Sequence, residues 1–276
     1  MKVAIQGIKG SFHDIAALQY FCDQPIELIC CDTFEDLFVT MRNDESCLGV
    51  MAIENTIAGS LLHNYELLQQ SKTKIVGEHK LHIEHSLLAM PGQQPSDIRE
   101  IHSHPVALMQ CREFLRTYPW AKAVEMPDTA GSARLIAEQQ MMGHGAICHA
   151  DAAELYGLEV VERAIEDNKH NFTRFLILAD TWRADQMAQH DQSDKASIVF
   201  ALPHEEGSLS QVLSIFSFYK INLTKIQSLP IIGREWQYLF YVDVSYDNYL
   251  RYRQSIDAVR PLTKDLRILG EYMAFQ

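Results

Sequence analysis

Four short segments of the 276-residue chain place glycines, small hydroxyls and amides where an apolar run gives way to a helical pattern. Gly7, Gly10 and Ser11 follow the first such run, and Glu54, Asn55, Thr56, Gly59 and Ser60 follow the third. Ser103 follows a run ending near residue 102, and Asp128 with Thr129 follows one ending near 126. In an open α/β sheet such junctions bind ligands, because a helix N-terminus presents unpaired N–H groups and a partial positive charge. Helix capping alone explains any one of them; four together suit a small molecule bearing carboxylates. Residues 168–175 (NKHNFTRF) add Thr173 and Arg174 inside an otherwise apolar strand. The arginine either faces solvent or forks onto a carboxylate. A threonine hydroxyl is a weak acid, so it needs neighbouring dipoles and a substrate already prone to react.

Other chemistries find little support. His79, His82 and His85 recur every third residue, but strand side chains alternate faces, so the three do not point one way. With no paired-cysteine or HExxH spacing, no metal site is expected. His13 and His104 lie beside the junctions and read either as ligand contacts or as helix-start and surface residues. There is no G-x-G-x-x-G, P-loop lysine or G-x-S-x-G, so neither a nucleotide cofactor nor serine-hydrolase chemistry is indicated.

The elements that must position these residues follow from the alternation of short β-rich runs with amphipathic stretches over residues 1–178, the pattern of an α/β domain with largely parallel strands. Strands are predicted at 2–6, 26–30, 48–53, 74–89, 98–102, 121–126, 146–148, 159–165 and 172–178, and helices at 12–22, 33–43, 59–70, 104–116, 129–140 and 149–156. Thr33 with Asp36 forms a capping-box pattern. Residues 181–195, polar and without periodicity, read as a linker. Beyond it strands at 196–202, 221–231, 236–244 and 265–273 and helices near 207 and 248–259 give the order βαββαβ, a ferredoxin-like plan, with a turn at 233–235.

Composition agrees with two soluble units. Hydrophobic residues make up 47% and charged residues 22%, enough for real cores. The net charge of −12 argues against nucleic-acid binding, which needs clustered cations. Residues 1–194 carry 15 basic and 28 acidic side chains, against 9 and 8 in residues 195–276. No signal-peptide core or run near 20 apolar residues is present, so no membrane association is expected and a cytoplasmic location is. The six cysteines lack C-x-x-C spacing and read as reduced thiols.

Six motifs in order resemble the prephenate dehydratase family: GIKGSFHDIAA (7–17), GVMAIENTIAGS (49–60), HSHPVALMQC (102–111), DTAGSA (128–133), AAELYGLEVV (152–161) and NFTRF (171–175). GSLSQVL (207–213) and INLTKIQSLP (221–230) resemble the ACT regulatory domain that follows it in that family. The resemblance implies a two-lobed catalytic domain similar to periplasmic-binding-protein lobes over 1–180, with lobe one about 1–78 and 160–180 and lobe two about 79–159. A linker at 181–195 and a ferredoxin-like ACT domain at 196–276 would follow. It implies a carbon–oxygen lyase converting prephenate to phenylpyruvate in phenylalanine biosynthesis, without cofactor.

Carried over residue by residue, Thr173 would assist the departing hydroxyl, and Ser103, Gln110 and Asn55 would hold or polarise the substrate. Ser103 and Gln110, seven residues apart, would share a helix face. Arg174, Ser11, Thr56 and Thr129 would contact carboxylates, with Phe175 beside them and Glu54 near enough to matter despite its charge. L-Phenylalanine would bind at Gly207, Ser208, Leu209, Asn222, Leu223, Ser228 and Pro230, in a homodimer or homotetramer. Departures from the family pattern are Ile8, Ser11 and His13 in the first motif, Val106 after His-Pro, and Gln227 and Leu229, which remove both charges of the regulatory E-S-R-P and put feedback by phenylalanine in question. No chorismate mutase segment precedes Met1, so a monofunctional enzyme is expected. Arogenate dehydratase and a non-catalytic amino-acid sensor are the alternatives.

Overall fold

The structure is a computed structural model that describes residues 1–188, 192–231, 233 and 237–275. Its first sheet is built from β1 (Lys2–Gln6), β2 (Glu27–Cys31), β3 (Leu48–Asn55), β4 (Gly59–Ser60) and β5 (Lys74–His82), with α1 (Phe12–Tyr20), α2 (Phe34–Asn43) and α3 (Leu62–Gln70) between them. The chain then builds a second sheet from β6 (Ser86–Ala89), β7 (Glu100–Ser103), β8 (Lys122–Glu125), β9 (His144–Cys148) and β10 (Glu159–Glu162). Its helices are α4 (Pro105–Gln110), α5 (Arg112–Arg116), α6 (Thr129–Glu138) and α7 (Asp151–Tyr156). The next strand, β11 (Phe172–Ala179), returns to the first sheet and is followed by α8 (Thr181–Met187). The last part comprises β12 (Lys195–Ala201), α9 (Ser208–Phe218), β13 (Asn222–Pro230), β14 (Tyr238–Ser245), α10 (Tyr249–Val259) and β15 (Lys264–Tyr272).

The strand orders are β2-β1-β3-β11-β5, with β4 on β3; β10-β6-β9-β7-β8; and β13-β14-β12-β15. β1 runs parallel to β2, and β7 runs parallel to both β8 and β9. Val3, Ala4 and Ile5 are fully buried, as expected of a strand covered on both faces. The second sheet separates two cores: Leu87, Ile101 and Ile147 face Leu108 and Phe114, while Leu88, Ala146 and Cys148 face Ala133 and Ile136. The predicted α/β plan and terminal βαββαβ order are both present, the third sheet being antiparallel.

By compactness the chain divides into one unit of residues 1–37, 50–61 and 80–175 and another of 38–49, 62–79 and 176–276. Inside the second, Lys195 pairs with Glu78 at 2.8 Å, Tyr65 meets Tyr241 edge-on, and the Arg267 guanidinium donates to the carbonyls of Gln69 and Ser71. Gly270 lies so close to β5 that a Cβ there would sit 2.1 Å from the Ile75 carbonyl oxygen.

Four differences from the sequence reading have local causes. Gly59 and Ser60 pair with Asn55 and Glu54, so the predicted helix at 59–70 begins only at Leu62. The predicted strand 74–89 breaks after His82, and Ile83 N–H donates to Asn171 O as the chain changes sheet. The predicted helix 104–116 breaks at Cys111, because the Asp167 carboxylate accepts from the N–H groups of Arg112 and Glu113 and starts α5. Within the stretch read as a linker, Asp180 caps α8 by accepting from Trp182 N–H. Residues 189–191 of that stretch, and most of the predicted 233–235 turn, lie outside the described residues.

Candidate active site

A cavity of about 540 Å³ lies where residues from the first two sheets face each other, a size suited to a small organic ligand. Four helix starts line it: Ser11 to His13 of α1, Thr33 to Glu35 of α2, Val106 and Ala107 of α4, and Thr129 of α6. Each junction folds locally for reasons visible in its residues. Ser11 Oγ accepts from Asp14 N–H, Thr33 and Asp36 form the expected capping box, and Asp128 accepts from Gly131 N–H. At Gly7 the backbone takes φ +98, where a side chain is strained, and a Cβ would press on Ser11 Oγ at 3.3 Å.

The described lining contains no lysine or arginine, whereas Asp32, Glu35 and Asp128 bring carboxyl groups to it. Attraction for an anion therefore comes from N–H groups and helix dipoles, each worth about half a charge at its end. Burial raises the Asp128 pKa, against the lowering pull of its Gly131 hydrogen bond and of His104. His13 accepts from Ala52 N–H through Nε2, lies edge-on to Phe175 at 5.0 Å, and is pulled down to about 4 by burial. His85 is also lowered, by burial first. Both imidazoles are neutral at pH 7.

At the base of the cavity a hydrogen-bond chain has its direction set by the backbone. The N–H groups of Ile57 and Ala58 donate to Asn55 Oδ1 at 2.9 and 2.8 Å. The Asn55 amide must then point its Nδ2 the other way, donating to Asn171 Oδ1 at 2.8 Å and Thr173 Oγ1 at 2.9 Å. Asn171 Nδ2 in turn donates to Gln110 Oε1 at 3.1 Å, and His85 Nε2 donates to the same oxygen at 3.0 Å. Because Thr173 Oγ1 is an acceptor here, its own proton is directed away from Asn55. Accepting a bond also polarises that O–H. Gln110 itself lines the cavity.

Thus Asn55, Gln110, Thr173, Phe175, Ser11 and Thr129 come together at the cavity. Other expected residues do not reach it. Ser103 is fully buried at the end of β7 and donates to the Ile147 carbonyl at 2.6 Å, so it does not share a helix face with Gln110. Thr56 bonds to the backbone of His170 and Phe172, and Glu54 lies in the β3–β4 pairing. Arg174, between Thr173 and Phe175 on β11, does not line the cavity, as strand alternation requires. His85 and Asn171 were assigned no role from sequence. The first was read only as one of three spaced histidines, although the second stands within the NFTRF motif.

In the last sheet, Asn222, Ser228 and Pro230 occupy alternate exposed positions of β13, whereas Leu223 and Leu209 pack against the core. Gly207 precedes α9 at φ +79, and Ser208 Oγ donates to the Pro203 and Glu205 carbonyls.

The prephenate dehydratase family model matches residues 3–182. An Arabidopsis thaliana chloroplastic arogenate dehydratase/prephenate dehydratase is 37% identical over 290 residues, covering 99% of this chain and 68% of that protein. Among solved structures, a prephenate dehydratase from Arthrobacter aurescens in complex with L-Phe superposes with TM-score 0.87 at 26% identity, covering 99% of this chain and 90% of that one. A structure described as GqqA, a novel type of quorum-quenching acylase, does so with TM-score 0.87 at 29% identity, covering 100% and 98%. With its cavity built from the motif residues, and with this coverage and identity, the chain belongs to the prephenate dehydratase family and is a dehydratase.

Proposed function

We propose that the cavity converts prephenate to phenylpyruvate, with Thr173 as the group that meets the leaving hydroxyl. The observation that carries this is the Asn55 Nδ2 to Thr173 Oγ1 hydrogen bond, which occupies the threonine oxygen as an acceptor and leaves its proton available at a residue that lines the cavity. In the reaction the bond from the ring to its carboxylate carbon breaks, its electron pair enters the ring, and carbon dioxide departs. The ring C–O bond breaks, and hydroxide takes up one proton to leave as water. One proton is consumed per turnover, Thr173 is reprotonated from solvent, and aromatisation drives the step. Positioning and donor groups are therefore the main demands on the protein. Gln110 Nε2, Ser11, Thr129 and the helix N-termini hold the carboxylates, while Asn55, Asn171 and His85 act as positioning residues.

A second substrate is favoured by the charge of the lining. Asp32, Glu35 and Asp128 with no described lysine or arginine suit the ammonium group that arogenate carries in place of the prephenate ketone. Several curated relatives are named arogenate dehydratases. Turnover of both compounds by purified protein, followed as phenylpyruvate and phenylalanine release, tests the assignment and ranks the substrates.

The boundaries proposed are a catalytic domain at 1–180, with lobe one about 1–78 and 160–180 and lobe two about 79–159, a connection at 181–195, and an ACT domain at 196–276. The three sheets support this plan in outline, although β5 of the first sheet runs on to His82 and β10 (Glu159–Glu162) pairs in the second sheet, so both crossings fall a few residues later than these bounds. Phenylalanine regulation through the β13 face, in a homodimer or homotetramer, is the proposed role of the last domain. The exposed edge of β13 and the L-Phe complex of the Arthrobacter relative support it. Six free thiols fit a reducing compartment, which supports a cytoplasmic location. No helix among the described residues is long and apolar enough to cross a membrane.

A further inference from the structure

At the end of β7 remote from the cavity, three side chains of two neighbouring strands converge. Glu100 and His102 occupy alternate positions of β7 and so share a face, and His144 opens β9 in register with Glu100. His102 Nε2 lies 3.0 Å from His144 Nδ1 and 3.4 Å from Glu100 Oε2, and the last two atoms are 3.7 Å apart. Three points with these separations lie on a circle of about 2.0 Å radius, close to zinc–imidazole and zinc–carboxylate bond lengths. An ion at the centre would need little movement of the chain.

The surroundings suit ligation. His102 is 5% exposed, and its Nδ1 has no partner, so the ring faces the triad with its other nitrogen alone. Glu100 and His144 side chains are 38% and 26% exposed, which leaves an entry path and a position for water. The triad is the one such group of ligating side chains among the described residues. Sequence spacing hid it, because two ligands are two residues apart on a strand and the third comes 42 residues later through strand pairing.

We propose that Glu100, His102 and His144 bind one divalent transition-metal ion of the zinc class, with water completing the coordination. Two imidazoles and one carboxylate favour zinc, cobalt or nickel over calcium or magnesium, which prefer all-oxygen shells. None of the three ligands lines the cavity, so the ion ties β7 to β9 and is no part of the proposed reaction.

The test uses the full chain without a histidine tag, stripped with chelator. Cobalt(II) titration is followed by visible absorption, zinc content by elemental analysis and zinc stabilisation by thermal melting, all without substrate. One ion per chain and a melting-temperature rise of about 5 °C at a hundredfold excess over Kd are expected. His144→Ala and Glu100→Gln, at partly exposed positions that spare the buried His102, should each weaken binding about tenfold or more while keeping wild-type circular dichroism. Absence of stoichiometric binding, or wild-type affinity in both variants, overturns the proposal. Either result leaves the dehydratase assignment untouched.

Discussion

Replacing Thr173 by valine removes one hydroxyl at nearly constant shape, and the structure allows its effects on folding and turnover to be separated. Thr173 is 9% exposed and accepts from Asn55 Nδ2 at 2.9 Å. In Thr173→Val that amide keeps the Asn171 Oδ1 acceptor at 2.8 Å and the Phe172 carbonyl at 3.2 Å. No donor is stranded, and the stability cost stays near 1 kcal/mol, a melting shift of roughly 2–4 °C. In the proposed mechanism the leaving hydroxide, by contrast, loses its proton donor, and general acid catalysis is worth about 10²- to 10⁴-fold. We expect kcat for phenylpyruvate formation, read from its enolate absorbance in alkali, to fall in that range with little change in KM. Thr173→Ser, which keeps the O–H but frees its rotamer, should retain activity within about tenfold. Thr173→Val turnover within about threefold of wild type, in a protein of unchanged circular dichroism, would refute the reasoning.

Asn55→Ala should lower kcat by about 10–100-fold by freeing the Thr173 rotamer and stranding the Ile57 and Ala58 N–H groups; if Asn55→Ala and Thr173→Val losses multiply instead of overlapping, the two do not act as one unit. His13 binds its proton more weakly folded, at about 4, than unfolded near 6.5, so its contribution is intact above pH 6.5 and is lost as pH falls toward 4, by at most about 3 kcal/mol. Urea melts near pH 5 and 7.5 should show that loss, and His13→Gln should flatten it; equal stability at the two pH values would contradict the burial argument. Gly270→Ala should cost about 1–3 kcal/mol or more, because its Cβ would lie 2.1 Å from the Ile75 carbonyl oxygen; an unchanged melting temperature would mean β15 and β5 are not packed this closely. Ser228→Arg, on the exposed face of β13, should raise the L-phenylalanine concentration for half-inhibition about tenfold or more, and an unshifted dose curve would place the effector elsewhere.

What the sequence disclosed was mostly local. A capping side chain two or three residues from the N–H it serves leaves its mark in the chain, so Ser11, Thr33 and Asp128 could be placed at helix starts, although the presence of Thr33 in the cavity lining was not anticipated. Contacts between distant residues leave no such mark. Ser103 donates to a carbonyl 44 residues away, Asp167 breaks a helix 55 residues before it, and the Asn55 to Thr173 bond spans 118 residues. His85 and Asn171 join the site only through such contacts. Arg174 was the exception, because the period-two alternation that sends Thr173 and Phe175 into the cavity already turned it away.

The most direct measurement incubates purified protein separately with prephenate and arogenate and follows carbon dioxide, aromatic product and proton uptake together, with and without L-phenylalanine. The account predicts one aromatic product, one carbon dioxide and one proton consumed per turnover from at least one of the two compounds, at wild-type rates that Thr173→Val lowers about 10²- to 10⁴-fold. Failure to aromatise either compound would contradict it.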